Sequence, residues 1–162
     1  WGYDDAENRV GSGIRYGVGD QDTLSDGFRY TYDADGNVST RTQSSTGSVW
    51  TYSWSSDNKL LSASTTVYGI PSKTVSFDYD ALGQPVVKRG STGQVTRVTL
   101  YDGGKILADL DSVGHREAEY VYDAGTDAPY AMLTGADTVS AVRYYAQDDL
   151  GNVQGQFADY TH

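Results

Sequence analysis

Acidic side chains are the most obvious candidates for chemistry in this sequence of 162 residues, which contains 22 acidic and 12 basic residues. The segment Asp33-Ala34-Asp35-Gly36-Asn37 superficially resembles the start of a calcium-binding loop, and Asp20, Asp22 and Asp26 form a second acidic loop. An EF-hand would need a bidentate Glu at its twelfth position, where this sequence has Ser44. Calcium binding at either loop is therefore unsupported, and we predict no metal site.

Catalytic side chains do not form a recognisable set. Paired carboxylates could catalyse glycoside hydrolysis, but pairs arise by chance among 22 acidic residues, and none lies in a distinctive motif. His115 follows Gly114 at a predicted turn, and His162 is the last residue. The sequence has no Cys, no phosphate-binding loop and no zinc-ligand spacing. We therefore predict that the protein is not an enzyme and needs no cofactor.

Aromatic side chains have two interpretations. Exposed Trp and Tyr rings suit the apolar faces of sugars, and Trp50 and Trp54 are the best candidates for such a glycan-binding site. The structural interpretation is a ladder in which aromatic residues on neighbouring hairpins stack. Regular spacing favours the ladder, whose predicted members are Tyr32, Trp54, Tyr79, Tyr101 and Tyr122.

The elements that carry these aromatic residues are β-hairpins. Phe28, Tyr30 and Tyr32 alternate with polar residues, which is the period of a half-buried strand. Residues 33–37 follow with Asp, Gly and Asn, the residue types that form tight turns. Residues 38–42 then resume the alternation with β-branched side chains. The unit is therefore an aromatic strand, a turn and a returning strand.

This hairpin unit recurs along the chain. From Tyr32, the aromatic position before the turn recurs at intervals of 22, 25, 22 and 21 residues, with Trp54 in place of one Tyr. A constant period of this length indicates a repeat architecture, in which each unit buries its apolar face only by packing on its neighbours. The predicted repeat positions are Tyr3, Asp4, Tyr32, Asp33, Gly36, Asn37, Trp54, Tyr79, Asp80, Gly83, Tyr101, Asp102, Gly104, Tyr122, Asp123, Leu150, Gly151 and Asn152.

Composition predicts an all-β fold. The chain has 14 Tyr and 19 Gly but only 3 Phe and 3 Pro, and no segment shows a sustained helical period. Its length predicts one domain, residues 1–162, in which the Gly-rich, acidic segment 11–27 is an irregular insertion. The net charge of −10 disfavours nucleic acid. No apolar run approaches the ~20 residues that span a bilayer, so we expect no membrane insertion.

The last third of the chain carries a more specific signature. Its segments are 101–108, beginning Tyr-Asp-Gly-Gly, then 120–131, and finally 144–153, which ends Asp-Asp-Leu-Gly-Asn-Val. This order resembles the conserved core at the end of Rhs/YD-repeat proteins, so residues 101–162 are interpreted as core-like. The upstream Tyr-Asp-x-x-Gly-Asn units are similar to the ordinary YD repeats of that family.

The resemblance implies a long sheet of stacked antiparallel hairpins that spirals into a hollow shell. Family members include shells of bacterial toxins, which enclose a toxic C-terminal domain, and the animal teneurins. We therefore expect a structural module of a large secreted or cell-surface bacterial protein. Its expected partners are the rest of its parent chain, or copies of itself through the sheet edges, and a C-terminal toxin as cargo. The alternative is a surface adhesin that binds glycans through a Trp/Tyr face.

Overall fold

The computed structural model describes residues 2–4, 8–11, 13–17, 19, 21–125, 127–136, 138–147 and 152–158. These residues form β-strands joined by turns, which confirms the predicted all-β fold of antiparallel hairpins. Within them, no helix is long and apolar enough to cross a membrane. The strands are β1 (Gly2–Tyr3), β2 (Arg9–Val10), β3 (Arg15–Tyr16), β4 (Asp22–Ser25), β5 (Phe28–Tyr32), β6 (Val38–Gln43), β7 (Val49–Trp54), β8 (Leu60–Val67), β9 (Ile70–Tyr79), β10 (Pro85–Arg89), β11 (Val95–Asp102), β12 (Lys105–Leu110), β13 (Arg116–Tyr122), β14 (Pro129–Thr134), β15 (Ala141–Gln147) and β16 (Val153–Ala158).

The chain divides into two compact units, Trp1–Phe77 and Asp78–His162, where the sequence predicts a single domain. In the first unit, β1 pairs with β2 in a small separate sheet, and β3 to β9 form an antiparallel sheet in chain order. In the second unit, β10 to β16 are likewise ordered as they occur along the chain. No ladder among the described residues joins the first and last strands of either sheet, so both sheets are open.

The segment 11–27 is more regular than the predicted irregular insertion, because it contains β3 and β4. β4 pairs with β5 through the two-residue turn Asp26-Gly27, in which both residues have positive φ, 49° and 81°. A two-residue turn with positive φ at both positions has a backbone twist that matches the twist of the strands that it joins. In the sequence, these turn residues are typical of a loop, so the sequence does not predict the strand before them.

Few side chains are buried in this architecture. Among the described residues, only Ala118, Ala131, Ser48 and Asp109 are buried. Apart from β1 and β2, the strands of each unit lie in one sheet, and most of their side chains remain half-exposed. Stability must therefore come mainly from contacts between adjacent strands, as in other repeat arrays.

The two faces of each sheet differ in chemistry. In the first unit, half-buried aromatic residues alternate with a face of Ser and Thr, on which the hydroxyls of Thr31 and Thr40 lie 2.6 Å apart and those of Ser53 and Ser62 lie 2.8 Å apart. In the second unit, the face opposite Tyr101 and Tyr120 is mainly apolar apart from Glu119, and the register places on it Leu100, Ala108, Ala131, Leu133, Val142, Tyr144 and Phe157.

The hairpin between β11 and β12 contains one glycine with positive φ. The sequence predicts positive φ at Gly104, but in the structure the positive φ occurs at Gly103, with a value of 58°. A two-residue turn with positive φ only at its first position requires Gly there and tolerates other residues at the second.

We therefore expect Gly103→Ala to lower the free energy of unfolding by about 1 kcal/mol, since an L-residue is strained in the left-handed region. Gly104→Ala is the matched control, because a Cβ at either position has no neighbour within 4 Å and only the backbone conformation differs. Urea denaturation of the two variants measures the difference. Equal destabilisation by both substitutions would contradict this turn geometry.

Candidate functional site

The repeated turn is held by the carboxylate of its first residue. The Asp33 amide donates to the Asn37 carbonyl at 2.9 Å, and Asp33 Oδ1 accepts from the amides of Asp35 at 3.0 Å and Asn37 at 2.8 Å. The Asn37 side-chain amide donates to Asp33 Oδ2 at 3.2 Å. Gly36 has a φ of 86°, which an L-residue rarely adopts. The carboxylate of the candidate calcium loop is thus used within the turn.

The same turn recurs at Asp80 and Asp111. Asp80 Oδ1 accepts from the amides of Leu82 and Gln84, and Asp111 Oδ1 accepts from those of Val113 and His115, all at 2.8 to 2.9 Å. The amide of Val113 is the main reason that the pKa of Asp111 lies below its ordinary value. For Asp33, desolvation raises the pKa, but hydrogen bonds from Asn37, Asp35 and Gly36 outweigh it, so the pKa is lowered.

One repeat forms this turn without Asp or Gly at the key positions. Ser55 Oγ accepts from the amide of Lys59 at 3.0 Å, and Asn58 adopts the left-handed conformation with φ of 60°. The pKa of Asp57 is lowered to about 2, first by the hydrogen bond from Lys59 and then by that from Ser55. The turn geometry is therefore preserved although the residue types change.

The aromatic residue before each turn connects neighbouring hairpins. The Trp54 indole nitrogen donates to the Val38 carbonyl at 2.8 Å, and the hydroxyls of Tyr101 and Tyr122 donate to the carbonyls of Pro85 and Ile106 at 3.2 and 3.0 Å. Each acceptor lies 16 residues before its donor, at the beginning of the returning strand of the preceding hairpin. These contacts are hydrogen bonds to the backbone and differ from the predicted ring stacking.

The register shifts where these aromatic residues occur. Tyr32, Trp54, Tyr101 and Tyr122 each lie at a step where the strand pairing skips one residue of the partner. Such a bulge bends the strand and turns a side chain toward a new neighbour. In the first unit, the Tyr32 hydroxyl uses this position to donate to the Asp22 carbonyl at 2.7 Å.

The remaining predicted repeat residues are distributed as follows. Tyr3 is exposed in the two-stranded sheet, and the Asp4 turn closes with the Asn8 amide donating to Asp4 Oδ1 at 2.9 Å. Tyr79 ends β9, while Asp123 follows β13. Asn152 precedes β16, whereas Leu150 and Gly151 lie outside the described residues.

The two candidate glycan-binding Trp residues are both half-buried. The guanidinium carbon of Arg41 lies 3.8 Å from the centroid of the Phe28 ring and 5.1 Å from that of the Trp50 ring, and the two rings meet edge to face. The indole N–H of Trp54 is already bonded to a backbone carbonyl. Both side chains therefore have structural roles in the first unit, and glycan binding by them stays a prediction.

A buried polar cluster in the second unit was missed by the sequence analysis. Asp109 is 4% exposed, and its carboxylate accepts from the Thr99 hydroxyl at 2.7 Å and the Tyr120 hydroxyl at 3.1 Å. Arg97 Nη1 lies 3.4 Å from Asp109 Oδ2 and also approaches Glu117. Burial and then the charge of Asp109 raise the pKa of Tyr120 to about 12. The presence of the charged residue Asp109 within the otherwise apolar run Ile106–Leu110 is the feature of the sequence that could have predicted this cluster.

Metal ligation finds no support in the part of the chain that the structure describes, where no group of three or more His, Cys, Asp or Glu side chains could hold an ion. Of the second acidic loop, Asp20 lies outside the described residues, and Asp22 and Asp26 fall in β4 and in the turn after it.

Comparison with known proteins finds similarity only among solved structures. No family model and no curated protein matches the chain. A Tc holotoxin pore structure from Photorhabdus luminescens, carrying a TccC3 mutation, is 21% identical over 84% of this chain, with a TM-score of 0.38. A crystal structure of TcdB2-TccC3-Cdc42 is 17% identical over 80% of it, and one of TcdB2-TccC3-TEV is 14% identical over 90%, with TM-scores of 0.39 and 0.41. This chain spans only 6 to 10% of the length of those chains.

The hydroxyl of Tyr32 gives a test of the connection between neighbouring strands. We expect Tyr32→Phe to lower the free energy of unfolding by about 1 kcal/mol, because the hydrogen bond to the Asp22 carbonyl is lost. Tyr30→Phe, on the same strand, is the control, since its hydroxyl forms no hydrogen bond among the described residues. Thermal or urea unfolding measures both. A Tyr32→Phe variant as stable as Tyr30→Phe would exclude this role.

The buried cluster predicts an alkaline loss of stability. A group whose pKa is raised on folding stabilises the protein below its unfolded pKa and loses that contribution as the pH rises through the folded pKa. Tyr120 should therefore cost the protein stability between about pH 10, its unfolded value, and its folded value of about 12. Denaturation at increasing pH measures this loss, which Tyr120→Phe should reduce without abolishing it, because the raised pKa values of Tyr32, Tyr101 and Tyr122 remain.

The charge of Asp109 contributes to that shift and can be separated from burial. Asp109→Asn should lower the pKa of Tyr120, followed by NMR of ring-labelled tyrosine, because the neighbouring negative charge is gone. Asp78→Asn, which removes the exposed partner of Arg89, is the control and should leave Tyr120 unchanged. An unaltered Tyr120 pKa in Asp109→Asn would show that burial acts alone.

Proposed function

We propose that the chain is a non-enzymatic structural repeat module of a large secreted or cell-surface bacterial protein. In this proposal it forms part of a β-shell that encloses or displays another domain, such as a C-terminal toxin. Its partners are the rest of its parent chain or further copies, which pair with its open sheet edges. The resemblance to Rhs/YD-repeat proteins suggests this role, and the geometry of the repeats supports it.

The observation that carries the proposal is the repeated hydrogen bond from one hairpin to the previous one. Trp54, Tyr101 and Tyr122 reach a backbone carbonyl 16 residues earlier. The carboxylates of Asp33 and Asp80, which follow Tyr32 and Tyr79, accept hydrogen bonds from their own turns. The side chains that define the repeat are therefore engaged in building the array, which favours an architectural role for the repeat over a binding role.

Open edges support assembly with further strands. The edge strands β3 and β16 each have one sheet neighbour, and an edge of this kind presents backbone donors and acceptors to a further strand. The edge strand β16 contains no charged residue and no Pro, the usual means by which edges avoid pairing. Its side chains Val153 and Phe157 are 48% and 63% exposed. An edge of this kind suits a continuing sheet.

The glycan-binding adhesin remains the alternative function. It would need a free aromatic platform, whereas Trp50 and Trp54 are half-buried and in contact with neighbouring groups. No observation in the described part of the chain favours it, so it ranks below the structural role.

Self-association of the chain tests the proposal. We expect light scattering and sedimentation velocity to detect concentration-dependent association, and hydrogen exchange to show protection of β16 that increases with association. The double variant Val153→Lys/Phe157→Lys should abolish association, because charges on an edge strand oppose pairing.

The control is Leu82→Lys, which adds charge at a turn residue that is 79% exposed. It should associate like the unmodified chain, so that a general effect of charge on solubility is excluded. A monodisperse monomer at high concentration, or association that Val153→Lys/Phe157→Lys leaves unchanged, would overturn assembly through this edge.

A further inference from the structure

A concave surface in the first unit has no role in the repeat. It is lined by side chains and backbone of β3, β4 and β5, namely Arg15, Thr23, Leu24, Arg29, Tyr30 and Thr31. None of these belongs to the repeated turns or to the aromatic hydrogen bonds. The hydroxyls of Thr23 and Thr31 bond across strands, but in the described part of the chain the side chains of Arg15, Leu24 and Arg29 form no bond of this kind. These three side chains are therefore available for a purpose other than holding the sheet together.

The strand register explains why two arginines share this surface. Leu24 on β4 lies opposite Arg15 on β3 and opposite Arg29 on β5. The two arginines therefore flank Leu24 on the same face of the sheet, with Cα atoms about 10 Å apart, which is two strand spacings. Two long guanidinium side chains at this separation can reach one ligand held above Leu24.

Neither arginine is neutralised by the protein. Arg15 and Arg29 are exposed and form no ion pair among the residues that the structure describes, although the chain has 22 acidic residues against 12 basic ones. By contrast, Arg89, Arg97 and Arg116 are paired with acidic side chains.

The nearest acidic residue on these strands does not supply the missing charge. Asp22 of β4 lies beside Tyr32, whose pKa is raised by burial and then by the charge of Asp22. The Tyr32 hydroxyl also bonds the Asp22 carbonyl. Asp22 Oδ1 itself has no hydrogen-bond partner in the described part of the chain, so it forms no bond to either guanidinium. Among the described residues, no carboxylate is therefore paired with either arginine of the concave surface.

We propose that Arg15 and Arg29, with Thr31 beside them, form a binding site for a phosphate or sulfate monoester group. A guanidinium binds two oxygens of such a group through parallel hydrogen bonds. One arginine suffices for the two oxygens of a carboxylate, whereas two arginines match the three terminal oxygens of a tetrahedral oxyanion. Thr31 lies two residues from Arg29 on the same strand face, where its hydroxyl adds a polar group.

Leu24, the apolar side chain between the two arginines, indicates how the ligand is oriented in the site. Leu24 offers a surface for the carbon atoms that carry the ester, while the charged oxygens face the guanidinium groups. An ester should therefore bind at least as tightly as the inorganic ion. This site lies opposite the aromatic face and is independent of the proposed shell function.

The test is an anion titration of the intact chain at low ionic strength, where screening is weak. Inorganic phosphate, methyl phosphate, methyl sulfate and acetate are added separately, and backbone amide and arginine side-chain NMR signals are followed. We expect saturable shifts at Arg15, Thr23, Leu24 and Arg29 with a dissociation constant on the order of 1 mM. Methyl phosphate and methyl sulfate identify which ester is preferred, and acetate should bind more weakly than either.

Variants separate this site from general attraction of anions. Arg15→Gln and Arg29→Gln should each weaken binding by about tenfold, the loss expected for a charge-assisted contact. Arg29→Lys keeps the charge but loses the fork and should bind less tightly than the unmodified chain. Arg143→Gln, at an exposed arginine on β15, is the control and should bind normally.

Circular dichroism verifies that every variant retains its fold. If Arg29→Gln unfolds, Arg15→Gln on the short strand β3 still decides the question. The proposal is overturned if no anion gives saturable shifts, if acetate binds as tightly as the esters, or if Arg143→Gln weakens binding as much as Arg15→Gln does.

Discussion

The hydrogen bond from Trp54, Tyr101 and Tyr122 to the backbone of the previous hairpin is the interaction on which the array depends. A sheet with four buried side chains among the described residues cannot rely on a packed interior to select one strand pairing. Backbone hydrogen bonds alone allow a strand to slip by two residues, because the same face remains inward. A donor fixed at the end of one strand and an acceptor fixed 16 residues earlier remove that freedom. The bulge beside each aromatic residue is what directs the donor toward its acceptor.

Charged side chains that are removed from solvent in this protein are stabilised in two different ways. Arg41 lies over the rings of Phe28 and Trp50, so aromatic faces provide the negative potential that a carboxylate would otherwise supply. Asp109 instead receives two hydroxyl hydrogen bonds and lies near Arg97, which satisfies its oxygens on a face where it is almost fully covered. Removing one member of such a cluster destabilises the protein more than replacing the whole cluster by apolar residues, because the remaining partners stay desolvated and unpaired.

The sequence predicted what local chemistry determines, namely the strands, the turns and the aromatic repeat. Asp33 and Gly36 predict their turn from the sequence alone, because the turn needs a carboxylate and a residue with positive φ within five residues of each other. Contacts across strands were less accessible. Arg41 lies beside Trp50 because of the register in which β6 pairs with its two neighbouring strands. That register cannot be predicted from the sequence without knowing that a bulge occurs at Tyr32. The same limit applies to Arg15 and Arg29, which are 14 residues apart in the chain and meet only through Leu24. The strand β4 was missed because its four residues resemble the loop around them.

The order of the strands also has a kinetic consequence. Within each sheet, neighbouring strands are consecutive in the chain, so no pairing has to wait for a distant segment. Closing these short loops loses little chain entropy, and topologies dominated by local contacts fold faster than those that pair remote strands. A chain of this kind can acquire structure hairpin by hairpin as it leaves the ribosome, each completed hairpin serving as the template for the next. Its exposed strand edge is then covered by its own continuation within the time needed to synthesise about twenty residues, roughly one to four seconds.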